Sequence, residues 1–293
     1  MAGRGTDRVG SSGVACALVL AAFATGCEDD TAEAARKKIR NEHLPDLSQV
    51  VDEDLERQMA GMRRAPDRLA PGFQVEDPSE RERQMRTALK FVQEPPKGIS
   101  QFVTSPMSFL AAVDAEGVVI ARDAEPDRLK GQDMKKPFPP VRAALEEGEV
   151  GYALGEFEGG DDADADSSWS VVFAAPVTVD GERVGAVVSG IPLWRLAQRL
   201  SRQMRVDHSP RIEQGLVLWA YLIKGDRLFH MGTPPELDDT LPSASDLQGR
   251  LSRDDEGVVT GHVQLHGRTY GYGATPLPEV GEDVALLVVR ADP

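Results

Sequence analysis

The chain has 293 residues, 41% of them hydrophobic, and a formal net charge of −15. A chain of this length usually divides into two domains, and its apolar content suffices to fill their cores, which argues against wholesale disorder. A surface this acidic repels nucleic acid and anionic lipid headgroups, so neither is expected as a partner through charge.

Residues 1–26 have the order of an export signal. Arg4 and Arg8 give a basic start, residues 14–24 (VACALVLAAFA) form an apolar run, and small residues precede Cys27. The run is too short for a transmembrane helix, which needs about 20 apolar residues, but it suits the core of a signal peptide. No later stretch approaches this length without charge, so the sequence predicts a mature chain that does not span a membrane.

The sequence Ala24-Thr25-Gly26-Cys27 resembles the lipobox of bacterial lipoproteins, although Ala24 stands where that family usually has leucine. The resemblance implies cleavage before Cys27, a diacylglycerol on its thiol and an acylated amino terminus, which anchor the chain at about 0.8 kcal/mol per buried methylene. The expected location is the cell envelope, lipid-anchored to a membrane and facing the periplasm or the cell exterior. The alternative is a secreted protein cut near Ala22 or Ala24, in which Cys27 has no role.

The chain has two cysteines, Cys16 and Cys27. Cys16 lies in the leader and is lost with it, so a mature chain lipidated at Cys27 has no free thiol and no possible disulfide. We therefore expect its stability to come from packing alone, although an oxidising compartment would permit disulfides.

Residues 27–100 are predicted to be a lipidated tether followed by helices. An apolar stripe at steps of three or four residues indicates a first amphipathic helix, with Leu47, Val51, Leu55, Met59 and Met62 on one face. A second helix is predicted from Ser79 to Pro95-Pro96, and Pro66, Pro71 and Pro78 predict breaks between the two. Packing of both stripes against the following domain is favoured over ligand grooves or partner helices.

From residue 101 onward, the apolar residues recur with the spacing that is typical of β-strands. A hairpin is predicted at 109–113 and 118–121, followed by a charged stretch and a short amphipathic lid at 141–145. Three further strands and an exit helix are predicted at 152–158, 169–179, 184–191 and 192–204.

The same order of elements occurs again in residues 207–293, with slight residue identity. Strands are predicted at 216–223, 228–231, 258–265, 268–274 and 284–290, with a polar helical lid at 233–256. The sequence therefore predicts an α+β fold of two modules, each an antiparallel sheet with a helical lid, preceded by an N-terminal helical segment. The predicted boundaries are 1–26, 27–100, 101–206 and 207–293.

Three stretches of the first module resemble the PAS-like Cache domain. VDAEGVVIARD at 113–123 looks like the first hairpin of that family, GQDM at 131–134 lies where its lid helix starts, and AAPVTVDGERVGAVVSGIPL at 174–193 is similar to its last two strands and exit helix. Residues 207–293 resemble a second, more diverged module, so the whole resembles a double-Cache extracellular sensor. The resemblance implies that a small molecule, such as an amino acid, a carboxylate or an amine, binds between sheet and lid.

Two departures from the family restrict that implication. Typical Cache sensors continue into a transmembrane helix and a signalling domain, whereas this sequence stops at Pro293. A sensor of this kind would act through a separate membrane or periplasmic signalling protein. The family's amino-acid-binding signature of spaced Tyr, Arg and Trp is absent from residues 122–170, so the ligand class is not carried over.

Metal and enzyme sites are not expected. His262 and His266 have a spacing that suits zinc on a helix, but the surrounding residues favour a strand, on which residues four apart lie about 13 Å from each other. The stretch 161–166 has calcium-loop spacing at three aspartates, yet Ser167 replaces the glycine and Phe173 the glutamate of such a loop. The sequence has no G-x-S-x-G, no P-loop and no candidate catalytic cysteine, so we expect no cofactor and no enzyme; a hydrolase of unrecognised type is the minor alternative.

Candidates for ligand contact are large or charged side chains at the sheet–lid junction of the first module: Arg122, Phe138, Tyr152 and Trp169. Pockets commonly combine aromatic walls with a few fixed polar groups. We expect Tyr152 and Trp169 to line a cavity that faces the segment containing Phe138. The leading hypothesis is thus a membrane-anchored extracytoplasmic sensor of a small molecule. The alternative is an interaction lipoprotein whose PAS-like domains dock partners without a ligand; a closed cavity favours the first and a filled core the second.

Overall fold

The described part of the chain begins with a set of helices that contact both sheets. A computed structural model describes residues 30–157 and 168–293 of the protein. Helix α1 occupies residues 30–38 and leads through a π-helical turn, Ile39–His43, into α2 (Leu44–Met62). Three shorter helices follow, namely α3 (Ala65–Phe73), α4 (Pro78–Phe91) and α5 (Ser100–Val103).

Two of the three prolines predicted to lie at breaks between the helices do so, and one does not. Pro66 and Pro78 lie in the first turns of α3 and α4, where a proline nitrogen has no helical partner to lose. Pro71, which was expected to lie in a break between helices, lies inside α3. The buried side chains of Leu69 and Phe73 hold that helix in place, so tertiary packing outweighs the local preference of the proline.

The first sheet has five antiparallel strands in the order β2-β1-β5-β4-β3. They are β1 (Phe109–Asp114), β2 (Val119–Arg122), β3 (Gly151–Phe157), β4 (Ser168–Val179) and β5 (Glu182–Pro192). Helix α6 (Pro139–Glu146) covers one face as a lid. Helix α7 (Leu193–Asp207) and the single turn α8 (Ser209–Ile212) lead from this sheet to the next.

The second sheet repeats this topology in the order β7-β6-β10-β9-β8. Its strands are β6 (Val217–Lys224), β7 (Arg227–Phe229), β8 (Val259–Leu265), β9 (Arg268–Pro276) and β10 (Val284–Ala291). Two helices, α9 (Pro235–Thr240) and α10 (Ala244–Leu251), form its lid. The last strand of each sheet in chain order, β5 or β10, is its central strand, which explains their long apolar runs.

Two hairpins turn on residues with positive φ. Asp180 and Gly181 join β4 to β5 at φ values of 52° and 85°, and His266 and Gly267 join β8 to β9 at 50° and 72°. Two consecutive left-handed residues form the two-residue turn whose twist matches that of antiparallel strands. Both turns agree with the sequence prediction, and a histidine in such a turn is not free to act as part of a helical metal site.

Three apolar cores hold residues 30–157 and 168–293 together. The strands alternate their side chains, so that on β4 Val171, Phe173 and Ala175 face the N-terminal helices, while Val172 and Ala174 face the lid. The lid faces of the first and second sheets form two separate cores. The opposite faces share a third core with α2, α3, α4 and α7.

The helix formed by residues 30–62 crosses from one sheet to the other. Near its start, Ile39 lies against Gly273 of β9, where an added Cβ would come within 2.6 Å of the isoleucine. Near its end, Gln58 donates a 2.6 Å hydrogen bond from Nε2 to Oγ of Ser189 on β5. The predicted fold class is confirmed: two antiparallel sheets with helical lids follow an N-terminal helical segment. The domain boundaries, and the independence of each module as a folding unit, stay predictions.

Candidate functional site

Phe138 occupies the space between the first sheet and its lid. It immediately precedes α6, is 2% exposed, and its ring centroid lies 4.5 Å from that of Phe157. Phe157 in turn meets Phe109 edge-on at 5.5 Å. Gly155 of β3 makes room for the Phe138 ring, since a Cβ there would lie 2.6 Å from it. The rings of Phe109, Phe138 and Phe157 therefore fill this part of the space between the sheet and its lid.

Tyr152 lies on the opposite face of the same sheet, so the expectation that it faces Phe138 is wrong. Its cross-strand partner is Phe173, with ring centroids 5.1 Å apart, and both side chains pack against the core of the N-terminal helices. Strand alternation is the reason: Gly155 and Phe157 point toward the lid, and Tyr152, an odd number of positions away, points from it.

Trp169 also lies on the helix face, contrary to the same expectation. It packs against the shared core, and Nζ of Lys224, at the end of β6, sits 4.6 Å from its ring centroid. Lys224 is also ion-paired to Asp283 in the loop before β10. Trp169 is thus a contact between the first sheet and the second, rather than part of a lid cavity.

Arg122 lies on β2 at the sheet edge, opposite Ala111, whose side chain belongs to the lid-face core. Its side chain is 18% exposed, and its Nε lies 3.8 Å from Oδ1 of Asp123. That Nε has no hydrogen-bond partner among the described side chains and backbone. The structure therefore brings Arg122 and Phe138 to one face of the sheet and Tyr152 and Trp169 to the other. Ligand contact by any of the four stays a prediction.

Tyr152 lines a groove of about 540 Å³ between β3 and α2. The wall from α2 consists of Asp52, Leu55, Glu56, Met59, Ala60 and Arg63. Helical spacing brings Asp52, Glu56 and Met59 to one side of α2, because residues three and four apart lie above one another. The groove thus combines an aromatic ring and apolar side chains with two carboxylates and one guanidinium.

The electrostatics of this groove are negative. Burial is the main cause of a raised pKa of the Tyr152 phenol, and the carboxylates of Asp52, Glu279 and Glu56 raise it further. Burial, and more weakly the charge of Asp52, also raises the pKa of Glu279. Both shifts indicate a partly desolvated place where additional negative charge is unfavourable. A cation in the groove would relieve that repulsion, and the tyrosine ring offers it a π face.

No sequence pattern marks Asp52, Glu56 or Glu279 as site residues. Asp52 and Glu56 flank the apolar stripe of α2 at a spacing of four, a pattern that any solvated helix edge has. Glu279 belongs to the loop between β9 and β10, and only the packing of the second sheet beside the first brings it within electrostatic reach of Tyr152.

The residues weighed for metal binding do not come together in the part of the chain that the structure describes. His262 lies exposed on β8 and His266 in the turn after it. Within residues 30–157 and 168–293, no group of three or more His, Cys, Asp or Glu side chains is placed to hold a metal ion. Cys27 and the aspartates of 161–166 lie outside the described residues.

A helix that crosses a bilayer is about 20 residues long and predominantly apolar. Of the helices between residues 30 and 157 and between 168 and 293, none is both long and apolar enough to cross a bilayer.

Solved structures with a similar fold include sensory domains of a chemoreceptor. The ligand-binding domain of the Campylobacter jejuni chemoreceptor Tlp3 in complex with 4-methylisoleucine has a TM-score of 0.54 and 12% identity, over 90% of this chain and 92% of that one. The same domain in complex with L-norvaline has a TM-score of 0.54 and 10% identity, over 91% and 92% of the two chains. The sensory domain of Tlp3 with isoleucine bound gives 0.51 and 10%, over 95% and 98%.

These likenesses show the fold, a double-Cache, PAS-like arrangement that extends over nearly the whole chain. At identities of 10–12% they do not carry a ligand from one chain to the other. No protein-family model and no curated protein sequence matches the chain.

Proposed function

We propose that the protein is a membrane-anchored, extracytoplasmic sensor module that binds a small molecule and acts through a separate signalling partner. The observation that supports it most is the fold, which the chain shares over 90% of its length with a chemoreceptor domain described as ligand-binding. The lipobox-like sequence at Cys27 supplies the proposed anchor.

For the ligand, the proposal is a small organic cation bound in the groove beside Tyr152. The carboxylates of Asp52 and Glu56 would pair with an amine, and the ring of Tyr152 with its charge or its methylene groups. A volume of about 540 Å³ falls within the range of small-molecule sites. Of the four residues that the sequence suggested, Tyr152 lines this groove and is the proposed ligand contact.

The test is thermal unfolding of the purified protein with putrescine and spermidine, with neutral amino acids, and with dicarboxylates. A ligand at 100 times its dissociation constant adds about 2.7 kcal/mol to the free energy of unfolding, which is a shift of several degrees. We expect the amines to give this shift and Glu56→Gln to reduce it, because the variant removes one counter-charge.

Glu53→Gln is the matched control for that variant. Glu53 is an exposed residue of the same helix and does not line the groove, yet its replacement changes the net charge equally. An amine shift that both variants reduce equally would indicate attraction to the acidic surface in general, and would contradict a site in the groove.

A different observation supports a second function, the docking of a partner. The packed rings of Phe109, Phe138 and Phe157 on the lid face favour a module that docks a partner without a ligand. The same screen separates the two functions, since a protein of the docking kind shows no shift with any of the small molecules.

A further inference from the structure

Three arginines converge on one concavity at the edge of the second sheet, in a chain whose net charge is −15. The concavity has a volume of about 400 Å³ and lies where the π-helical turn, the end of α10 and the start of β8 meet. Its lining consists of Arg40, Arg250, Arg253, Asp254, Val258, Val259 and Thr260.

The guanidinium of Arg250 is held in position by neutral acceptors. Its Nη1 donates to Oη of Tyr272 at 2.8 Å and its Nη2 to the carbonyl of Thr260 at 3.0 Å. Tyr272 is 5% exposed, and its hydroxyl lies over Gly261, where a Cβ would come within 2.3 Å of it. Arg250 is therefore fixed and half-buried, with N–H groups left to donate into the concavity.

The charges of Arg250 and Arg253 are not balanced by carboxylates. Among residues 30–157 and 168–293, no carboxylate oxygen lies within 4.0 Å of either guanidinium. Arg253 donates from Nε to the carbonyl of Gly249 at 2.7 Å, which leaves its terminal nitrogens for another acceptor.

The acidic groups nearby have other partners. Oδ1 of Asp254 accepts hydrogen bonds from the backbone N–H of Glu256 and of Val258, at 3.0 and 3.4 Å, and so closes the turn before β8. Glu256 pairs with Arg40. The concavity consequently presents two unbalanced guanidinium groups, one of them fixed.

We propose that this concavity binds a small dianion that carries carboxylate or phosphate groups. A guanidinium matches both groups with pairs of parallel N–H···O bonds, which are stronger than bonds between neutral groups. A dianion would supply the counter-charge that Arg250 and Arg253 lack in the folded chain. This site lies on the second sheet, apart from the groove beside Tyr152. Its charge is positive, whereas the charge of that groove is negative.

Isothermal titration of the purified protein with succinate, and separately with inorganic phosphate, tests the site. We expect saturable binding of at least one probe, weakened about tenfold or more by Arg253→Gln and by Arg250→Gln. Binding of only one probe identifies the group that the site accepts. Binding of either probe, or of both, supports the proposal. Because Arg250 also donates hydrogen bonds to Tyr272 and Thr260, circular dichroism should check that Arg250→Gln is folded. Arg253 is exposed, so Arg253→Gln provides the test if Arg250→Gln unfolds.

Arg202→Gln is the charge-matched control, because Arg202 is exposed on α7 and does not line the concavity. The affinity of the Arg202→Gln variant for the probe should stay within about twofold of the wild-type affinity. The proposal is overturned by the absence of saturable binding up to about 10 mM of both probes. It is equally overturned by an affinity that Arg253→Gln leaves unchanged, or that Arg202→Gln lowers as much. Glu56→Gln should not affect this binding, so failure here is distinct from failure of the amine proposal.

Discussion

Arg290 is fully buried on β10, and a small polar cluster balances its charge. Its Nε and Nη2 donate to the two carboxylate oxygens of Asp292, each at 2.8 Å, and its Nη1 contacts Nε2 of His43 at the same distance. His43 belongs to the π-helical turn. Because a buried charge without partners is costly, this cluster fixes the helix of residues 30–62 to the central strand of the second sheet.

His43 gives the protein a specific dependence on pH. Burial, and less strongly the charge of Arg290, lowers the pKa of His43 from 6.5 to about 3. The unfolded chain binds a proton at this residue near pH 6.5, whereas the folded chain does not until about pH 3. Its contribution to stability is therefore complete above pH 6.5 and is lost as the pH falls toward 3, by about 1.4 kcal/mol per unit.

Urea unfolding of the wild type and of His43→Gln at pH 7 and pH 5 measures this contribution. We expect the wild type to lose about 2 kcal/mol more than the variant over that interval, since glutamine does not titrate. His262→Gln, at an exposed strand position, is the matched control for replacing a histidine by glutamine. Equal losses in the wild type and in His43→Gln would show that His43 titrates normally in the folded protein.

The lid α6 depends on a glycine in the strand below it. Gly155 leaves the space that the Phe138 ring occupies, and Phe138 immediately precedes the helix. Met134 and Val141, also buried in this core, pack around the same place. The lid is thus tied to β3 by ring packing, and a side chain at Gly155 would force the ring away.

Gly155→Ala should lower the free energy of unfolding by about 1–3 kcal/mol, the usual cost of overpacking a core. Gly151→Ala is the matched control, because it lies on the same strand and a Cβ there meets nothing within 4 Å. Chemical unfolding of the two variants gives the comparison. Equal stability would mean that the lid shifts at no cost and that the Phe138 packing does not hold it.

The two sheets and the N-terminal helices are joined through one shared core, which α2 and α7 line together with both sheets. Residue 30 is already helical and lies three positions after Cys27. The early part of the helix contacts the second sheet and its later part the first. A lipid on Cys27 would therefore hold the second sheet near the membrane and the first farther from it, as part of the proposed function.

Cys27→Ser should release the protein from the membrane fraction, or leave it unprocessed, because the acyl chains supply the anchoring free energy. Cell fractionation followed by mass determination measures both outcomes. Cys16→Ser is the control and should remain with the membrane, since Cys16 lies in the leader. A mature-sized Cys27→Ser chain that still sediments with membranes would contradict the lipid anchor.

The sequence by itself determined the strands, the turns and their repetition, because these depend on local periods and on local turn chemistry. Asp180-Gly181 and His266-Gly267 specify their hairpins through backbone conformations that neighbours need not enforce. The apolar stripe of α2 likewise specified a helix that buries Leu47, Val51 and Leu55.

Only the tertiary structure decided which face of the first sheet each candidate residue occupies. A strand alternates its side chains with a period of two, and the alternation alone does not say which face a lid will cover. Tyr152 and Trp169 were therefore assigned to the wrong face, while Phe138 lies between sheet and lid as expected. The acidic groove and the arginine concavity each join segments distant in the chain, such as α2 with β3 and the π-helical turn with α10, so no local pattern contains them.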